Sequence, residues 1–183
     1  MDADGSDNAT GAVDQQERLD AYVAGFVDGE GCFHVALQRN PSTRVGWQLV
    51  PEFRVSQDVS RVQVLHLVRE RIGCGALHEN HRGSHDRTMV LVVRRRRDLL
   101  DRVIPFFHRN PLVSCKQKEF LTFARVVRGM EAGEHRTLGG FHRLAAESLT
   151  MNGGGRYRRL HGDSLSRILR DHTPSTEHPM GAR

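Results

Sequence analysis

The sequence predicts an α+β fold in which a helix, two strands, a second helix and two more strands precede a group of further helices. Apolar and polar residues alternate strictly from Cys32 onward, which is typical of a half-buried strand. Apolar residues then recur at helical spacing between Val62 and Ile72, and a second strand-like pair follows before the helical patterns of the carboxyl-terminal part. This order predicts an antiparallel sheet with helices packed against it.

The first predicted hairpin gives the clearest strand signal. The apolar face of its first strand holds Phe33, Val35 and Leu37. The turn-forming segment 40–43 leads to a second alternating run at residues 47–55. Pro51 lies within this run and cannot donate a backbone hydrogen bond, so we expect it at a sheet edge or at a bulge.

A second helix is predicted at residues 62–72. Ser60 and Gln63 have the spacing of a capping box, and Gly73 ends the helical pattern. A second hairpin is predicted next, with strands at 75–80 and 87–94 and a polar loop at 81–86.

Three helical patterns follow the second hairpin. The first is a short helix that Asp98 caps and that runs through Ile104; the others span residues 116–130 and 138–151. The apolar side of the middle helix carries Phe120, Phe123, Val127 and Met130.

Composition divides the chain into three parts. Residues 1–18 are polar, rich in Gly and Asp, and aperiodic, which predicts a disordered acidic leader. Residues 19–151 carry every periodic pattern and are expected to form one domain. Residues 152–183 turn to Gly, Arg and His, which predicts a basic, partly disordered tail.

The charge of the chain favours a polyanionic partner. The first 20 residues hold six acids and one base, a net charge of −5, so the remaining residues carry +10 against +5 for the whole chain. Phosphate neutralisation by such a basic body favours nucleic acid over a membrane surface.

Targeting and redox signals are sparse. No stretch approaches the roughly 18 apolar residues of a membrane-spanning helix, and no basic start leads into an apolar run. We therefore expect a cytoplasmic protein, associated with the nucleoid if the host is a bacterium. The three cysteines, an odd number without a C-x-x-C pair, are expected to be reduced and structural.

The segment 23–31 combines two glycines four residues apart with an acid at the end of a short apolar helix. Gly25 and Gly29 would share one helix face and allow a partner helix to approach closely. Glu30 would then lie beside its symmetry mate, and a divalent cation would relieve the repulsion between the two carboxylates. The alternative is a Gly-rich helix end that leads into a strand.

Segment 23–31 resembles the signature of the LAGLIDADG homing endonucleases: aliphatic, small, Gly, two apolar residues, Asp, Gly, acid and Gly. Val23 replaces the usual leucine and Glu30 stands where many members have aspartate, and both exchanges keep the chemistry. The element order αββαββα over residues 19–151 agrees with the family core. The resemblance implies a saddle-shaped antiparallel sheet that lies along the DNA major groove, with additional carboxyl-terminal helices.

The resemblance also implies the assembly and the activity. A chain with one copy of the signature would act as a homodimer on a pseudo-palindromic site. The implied activity is site-specific cleavage of double-stranded DNA with Mg²⁺ or Mn²⁺ and no small-molecule cofactor. The implied dimer interface consists of Ala24, Gly25, Val27, Asp28 and Gly29.

The implied catalytic site consists of Glu30 and the Gly29 carbonyl as metal ligands, and Gln57, Arg61 and Lys116 to arrange water and the scissile phosphate. Gln57 ends the second strand, Arg61 starts the next helix, and Lys116 precedes the long helix, as in single-motif relatives. The two lysines of the chain, Lys116 and Lys118, also fit the reading of surface bases at a helix start.

The polar faces of the two hairpins are the expected DNA contacts. Arg pairs most readily with guanine, and Gln or Asn with adenine, in the major groove. The residues expected to contact bases or phosphates are His34, Gln38, Arg39, Asn40, Gln48 and Arg54 on the first hairpin, His78, Asn80, Arg82 and Arg87 on the second, and Lys118.

Other interpretations remain open from the sequence. The segment 78–81 followed by His85 invites a metal site of the HNH nuclease type, although a polar hairpin tip explains it more simply. Arg94 to Arg97 fit a localisation signal or a solvated, phosphate-contacting edge. At the level of function, the alternatives are a catalytically inactive LAGLIDADG DNA-binding regulator and an RNA-binding intron maturase.

Overall fold

The computed structural model describes residues 6–80 and 87–154. Their order is helix, two strands, helix, two strands and further helices, as predicted. The strands are β1 (Gly31–Arg39), β2 (Trp47–Asp58), β3 (Ala76–Glu79) and β4 (Thr88–Val93). The helices are α1 (Ser6–Glu30), α2 (Val62–Ile72), α3 (Arg96–Asp98), α4 (Ile104–Arg109), α5 (Lys116–Glu131), α6 (Leu138–Leu149) and α7 (Met151–Gly154).

Helix α1 begins earlier than the sequence patterns predicted. Residues 6–18, expected to be disordered, form the first half of a single helix that ends at Glu30. Within this helix, Asp20 pairs with Arg71 of α2 at 2.7 Å. The correction places the signature segment at the end of a long helix rather than in a short one.

The four strands form one antiparallel sheet in the order β1-β2-β4-β3. The predicted alternation is confirmed, since Phe33, Val35 and Leu37 are buried on the helix side. Pairing between β1 and β2 runs without a bulge from Gly31 opposite Val55 to Arg39 opposite Trp47. Pro51 precedes Phe53, where pairing with β4 begins, so it lies on a locally open edge of β2 as expected.

The caps of α2 agree with the prediction only at its end. Gly73 ends the helix in the left-handed region with φ of 81°. The predicted capping box of Ser60 and Gln63 is wrong, because a 3₁₀ turn at Val59–Arg61 precedes α2 and Asp58 accepts a 2.8 Å hydrogen bond from the Ser60 amide. Asp58 is the last residue of β2, so it caps the turn that begins where the strand ends.

The segment from Arg96 to Arg109 is helical throughout but not uniformly α-helical. The predicted cap at Asp98 is wrong, because the helix already begins at Arg96. A π-helical segment at Leu99–Val103 separates α3 from α4. Pro105 has no amide hydrogen and its ring would crowd the preceding turn of an α-helix, so the wider π turn accommodates it.

The core lies between the helix side of the sheet and the carboxyl-terminal helices. Phe33 is its centre, with ring centroids 5.2 to 5.4 Å from those of Phe53, Phe107, Phe120 and Phe123. The apolar side predicted for 116–130 is confirmed by α5, which buries Phe120, Phe123, Val127 and Met130.

The boundary expected at residue 151 is not sharp. The Asn152 side chain donates a 3.1 Å hydrogen bond to the Phe33 carbonyl, and the Asn152 backbone amide donates to the Glu119 carboxylate. The predicted tail therefore begins with a residue that is fixed to β1 and α5. The rest of the predicted tail, from residue 155, lies outside the described residues.

The sequence also led to predictions about the cysteines and about membrane-spanning helices. Cys32, Cys74 and Cys115 are all free thiols, as predicted. Burial raises the pKa of the Cys74 thiol to about 11. Among the residues that the structure describes, no helix is long and apolar enough to cross a membrane.

Candidate active site and nucleic-acid interface

The candidate site lies where α1 ends and β1 begins. Gly29 and Glu30 are both exposed at this junction. Lys116, the first residue of α5, donates hydrogen bonds from its ammonium group to the carbonyls of Val27 (3.0 Å) and Gly29 (3.2 Å). The helix carboxyl terminus, where unpaired carbonyls concentrate negative partial charge, thus holds a cation next to Glu30.

Asp28 positions this lysine, a role that the sequence did not reveal. Its carboxylate accepts hydrogen bonds from the Val113 amide (3.2 Å), the Ser114 amide (2.9 Å) and the Ser114 hydroxyl (2.5 Å). The Ser114 hydroxyl also accepts from the Lys116 amide at 3.1 Å. Partial burial acts to raise the pKa of Asp28, but these hydrogen bonds and the Lys116 charge outweigh it and lower the pKa below the ordinary value.

The donors at this junction suit a hard divalent cation. Glu30 offers carboxylate oxygens and Gly29 a carbonyl oxygen, and the Lys116 ammonium shows that a positive charge fits here. Within residues 6–80 and 87–154, no three His, Cys, Asp or Glu side chains are grouped to hold a metal ion. Mg²⁺ is often held by only one or two carboxylates together with several waters, so a single carboxylate and a carbonyl are compatible with such an ion.

Gln57 lies near, and Arg61 just beyond, the end of β2 that pairs with the start of β1. Gln57 is two residues beyond Val55, which pairs with Gly31 at the start of β1. Its side-chain oxygen accepts a 2.9 Å hydrogen bond from the Asp58 amide. Arg61 is exposed and ends the 3₁₀ turn before α2. The structure thus puts both residues near the end of β2, whereas Lys116 is hydrogen-bonded to carbonyls of the α1 terminus.

The predicted dimer interface is divided between two faces of α1. Gly25 and Gly29 are exposed, and a side chain built on either would meet nothing within 4 Å of its own subunit. Ala24 and Val27 are buried in the core of the subunit, with exposures of 6% and 0%, so their side chains pack within one chain and their place in a dimer interface stays a prediction. Asp28 is engaged with Val113 and Ser114, as described above.

The open side of the first hairpin carries the residues expected to contact DNA. Gln38 pairs with Gln48 across the two strands, and Asn40, Gln48 and Gln38 form a hydrogen-bonded series of amides at 2.8 and 3.2 Å. Arg39 alternates with Gln38 and so lies on the helix side of β1, over the Trp47 ring at 5.9 Å from its centroid. His34 is half-buried opposite Glu52.

The second hairpin joins this surface through one contact. Arg54 of β2 donates to the Asn80 side chain at 3.5 Å, so candidate DNA contacts from both hairpins lie side by side. His78 and Arg87 are exposed, as is Lys118 on α5. Arg82, like His81 and His85 of the alternative metal site, lies outside the described residues.

The four arginines from 94 to 97 are paired within the chain. Arg94 contacts the nearly buried Glu52 at 2.5 Å, a pair that the sequence did not reveal. The other three pairs are Arg95 with Asp98, Arg96 with Glu131 and Arg97 with Asp101. This segment is therefore largely neutralised, which argues against a dedicated phosphate-binding run.

Comparison with known proteins identifies the family. The sequence profile described as LAGLIDADG endonuclease matches residues 23–127, more than half of the chain. The chain therefore belongs to the LAGLIDADG endonuclease family, and the α+β fold expected from the resemblance is confirmed.

Individual relatives agree with this assignment. The chain is 32% identical to DNA endonuclease I-CeuI of Chlamydomonas moewusii over 88 residues, covering 48% of this chain and 39% of that protein. It is 32% identical to homing endonuclease I-ApeII of Aeropyrum pernix over 109 residues, covering 60% of this chain and 62% of that protein. It spans only 26% and 25% of two probable intron-encoded endonucleases of Schizosaccharomyces pombe and Neurospora crassa.

Solved structures match over longer stretches. The structure of the homing endonuclease I-TnaI superimposes with a TM-score of 0.71 and 37% identity, covering 83% of this chain and 96% of that one. The meganuclease I-SmaMI bound to DNA gives a TM-score of 0.69 and 26% identity, covering 74% of this chain and 44% of that one.

Proposed function

We propose that this protein is a site-specific, divalent-metal-dependent endonuclease of double-stranded DNA, of the homing type, that acts as a homodimer. The observation that carries the proposal is the contact between the Lys116 ammonium and the Gly29 carbonyl, next to the exposed Glu30. An acid, a carbonyl oxygen and a lysine at one solvent-exposed helix end are the groups that phosphodiester hydrolysis with a metal requires.

The fraction of each solved structure that this chain covers supports the homodimer. This chain accounts for 96% of I-TnaI but only 44% of I-SmaMI, so it corresponds to one half of the larger protein. It has one copy of the signature segment. Gly25 and Gly29 are exposed and place no side chain between α1 and a second copy at these two positions.

Each polar group has a distinct part in the proposed reaction. A bound Mg²⁺ or Mn²⁺ would activate water and stabilise charge on the phosphate and the leaving oxygen. Glu30 and the Gly29 carbonyl would hold the cation, and Lys116 would neutralise charge that develops on the scissile phosphate. Gln57 and Arg61, at the adjacent end of β2, would orient the attacking water and the phosphate backbone.

The open side of the sheet is the proposed DNA surface. Its amide series from Asn40 to Gln38 and its guanidinium at Arg54 supply donors and acceptors that match base edges in the major groove. The positive charge of the chain beyond its first 20 residues would attract the phosphate backbone. I-SmaMI, which has the same fold at 26% identity, was solved bound to DNA.

A cleavage-site selection tests the proposal and requires no assumption about the target sequence. The wild-type protein and its Glu30→Gln variant are incubated with a library of random DNA duplexes and Mg²⁺, and the cleaved ends are sequenced. We expect the wild type to enrich one family of pseudo-palindromic sites. Glu30→Gln should lose cleavage by a factor of about 10² or more, on the order of a missing catalytic carboxylate, while DNA binding is retained.

The control variant is Glu70→Gln, which removes an equally exposed carboxylate from α2. It should cleave like the wild type, because Glu70 lies outside the candidate site. Binding without cleavage by every form would instead identify a DNA-binding regulator, and preferential binding of folded RNA would identify an intron maturase.

A further inference from the structure

A cavity of about 540 Å³ lies at the opposite end of the molecule from the candidate cleavage site. It is enclosed by the turn between β1 and β2, the end of α5, the 3₁₀ turn at Glu134–Arg136 and the start of α6. Trp47 begins β2 beside this cavity, whereas Gln57 is almost at the other end of the strand. At about 3.3 Å per residue, the two sites are roughly 30 Å apart.

The floor of the cavity is apolar. Val45, Leu49, Met130 and Phe141 line it and are all at least nine-tenths buried. The ring of Trp47 forms one side, and the Arg39 guanidinium lies over that ring at 5.9 Å from its centroid. A volume of this size with an apolar floor lies within the range of small-molecule sites.

The rim of the cavity carries an excess of positive charge. Arg44, Arg96, Arg136 and His135 line it. Arg96 is paired with Glu131 at 3.0 Å, but among the described residues neither Arg44 nor Arg136 has a carboxylate within ion-pair distance. Burial lowers the pKa of His135, and the charges of Arg96 and Arg136 lower it further. The imidazole therefore lies close to the positive charges of Arg96 and Arg136.

We propose that this cavity binds an organic phosphate monoester, with its phosphate on Arg44 and Arg136 and its apolar or aromatic body on the floor beside Trp47. Guanidinium groups match phosphate oxygens in a paired geometry. Two guanidinium charges without an acid partner in the described part of the chain suit the charge of about −2 of a monoester better than the single charge of a DNA phosphodiester. The apolar floor favours a ligand with a body over a bare ion.

The position of Trp47 makes the proposal directly testable, because it is the single tryptophan of the chain. Its fluorescence is followed by selective tryptophan excitation as the full-length protein is titrated with phenyl phosphate, inorganic phosphate or benzyl alcohol. Phenyl phosphate should give a saturating change. Inorganic phosphate lacks the body and benzyl alcohol lacks the charge, so both should bind at least about tenfold more weakly.

Two variants locate the site. Arg44→Gln and Arg136→Gln should each weaken phenyl phosphate binding about tenfold or more, because each removes a charge-assisted hydrogen bond. Both side chains are exposed, so the variants are expected to fold. Arg109→Gln is the matched control, since it removes an exposed arginine outside the cavity and should bind like the wild type.

An independent measurement uses the His135 imidazole in an NMR pH titration. A phosphate held between Arg44 and Arg136 should raise the pKa of His135 back toward 6.5. The proposal is overturned if Trp47 does not respond, if benzyl alcohol binds as well as phenyl phosphate, or if both arginine variants bind normally. It is equally overturned if duplex DNA displaces the ligand, because the cavity would then be part of the DNA surface.

Discussion

Asp28 shows how much one side chain contributes to the candidate site. It connects the end of α1 to the segment before α5 through three hydrogen bonds from Val113 and Ser114. We expect Asp28→Ala to lower the free energy of unfolding by about 1 to 3 kcal/mol, the usual range for hydrogen bonds to a charged group. Urea denaturation followed by circular dichroism measures this loss.

The same variant has a defined pH dependence. Because the pKa of Asp28 is lowered in the folded state, its stabilisation is present above the ordinary value of 3.8 and is lost as pH falls through the lowered pKa. The difference from wild type should therefore shrink in acid. Asp101→Ala is the control, since its exposed pair with Arg97 should contribute less than about 1 kcal/mol. An equal loss in both variants would contradict the role of Asp28.

At the scale of single residues, the sequence indicates candidate site residues but not their long-range contacts. Glu30, Gly29 and Lys116 were expected together from the family resemblance, and Lys116 does contact Gly29. The role of Asp28 could not be predicted, because its partner Ser114 is 86 residues away and no local spacing connects them. Glu52 and Arg94, paired across 42 residues, escaped prediction for the same reason.

Two glycines after α2 provide the test at the scale of secondary structure. Gly73 and Gly75 both have positive φ, 81° and 110°. A methyl group on Gly73 would meet only Arg102 at 3.9 Å, whereas on Gly75 it would lie 2.7 Å from the Leu91 side chain. Gly73→Ala should therefore cost about 1 to 2 kcal/mol from backbone strain alone. Gly75→Ala should cost about 2 to 4 kcal/mol, since overpacking adds to the strain.

Gly139→Ala serves as the control for these substitutions. Gly139 lies in α6 with negative φ, and an added methyl group would meet only Arg143 at 3.9 Å. The change should be neutral or stabilising by up to about 1 kcal/mol, because alanine has a higher helix propensity than glycine. Thermal and urea unfolding compare the three variants. Equal stabilities of Gly73→Ala and Gly75→Ala would show that Leu91 does not limit the second position.

Elements were predicted more reliably than their ends. Periodicity located β1, β2, α2 and α5 because each buries one regular face. The helix caps predicted at Ser60 and Asp98 are wrong. Asp58 caps the 3₁₀ turn instead of Ser60 because β2 ends at that residue. Asp98 lies inside a helix that continues into the π-helical segment before Pro105, and local residue spacing does not indicate such a segment. The helix at residues 6–18 was missed because its polar sequence has no apolar stripe to detect.

The dimer is tested at the scale of the whole molecule. Gly25→Leu and Gly29→Leu add a bulky side chain to the exposed face of α1, where nothing in the same subunit lies within 4 Å. We expect each subunit to fold normally and the dimer affinity to fall by at least about tenfold, because the two helices could no longer approach closely. Light scattering coupled to size-exclusion chromatography gives the mass in solution.

Gly11→Leu is the matched control on the same helix, since it also has open space around it but lies outside the signature segment. It should leave the mass unchanged. A dimer that survives both Gly25→Leu and Gly29→Leu would exclude this face of α1 as the interface.

The assembly was the part least accessible to sequence reasoning. The two glycines indicated a helix surface suited to close packing, and their exposure agrees with that expectation. The same segment was expected to supply Ala24 and Val27, whose side chains are buried in the core of the subunit. A nine-residue pattern does not specify which helix face turns inward; that depends on how α1 packs on α2 and the sheet.

The bond between Lys116 and Gly29 joins groups 87 positions apart. During synthesis, the signature segment leaves the ribosome well before its lysine does. A nascent chain that stops short of α5 has an acidic helix end without its balancing cation. The candidate site can therefore form only after α5 has been synthesised, when most of the polypeptide is already available to fold.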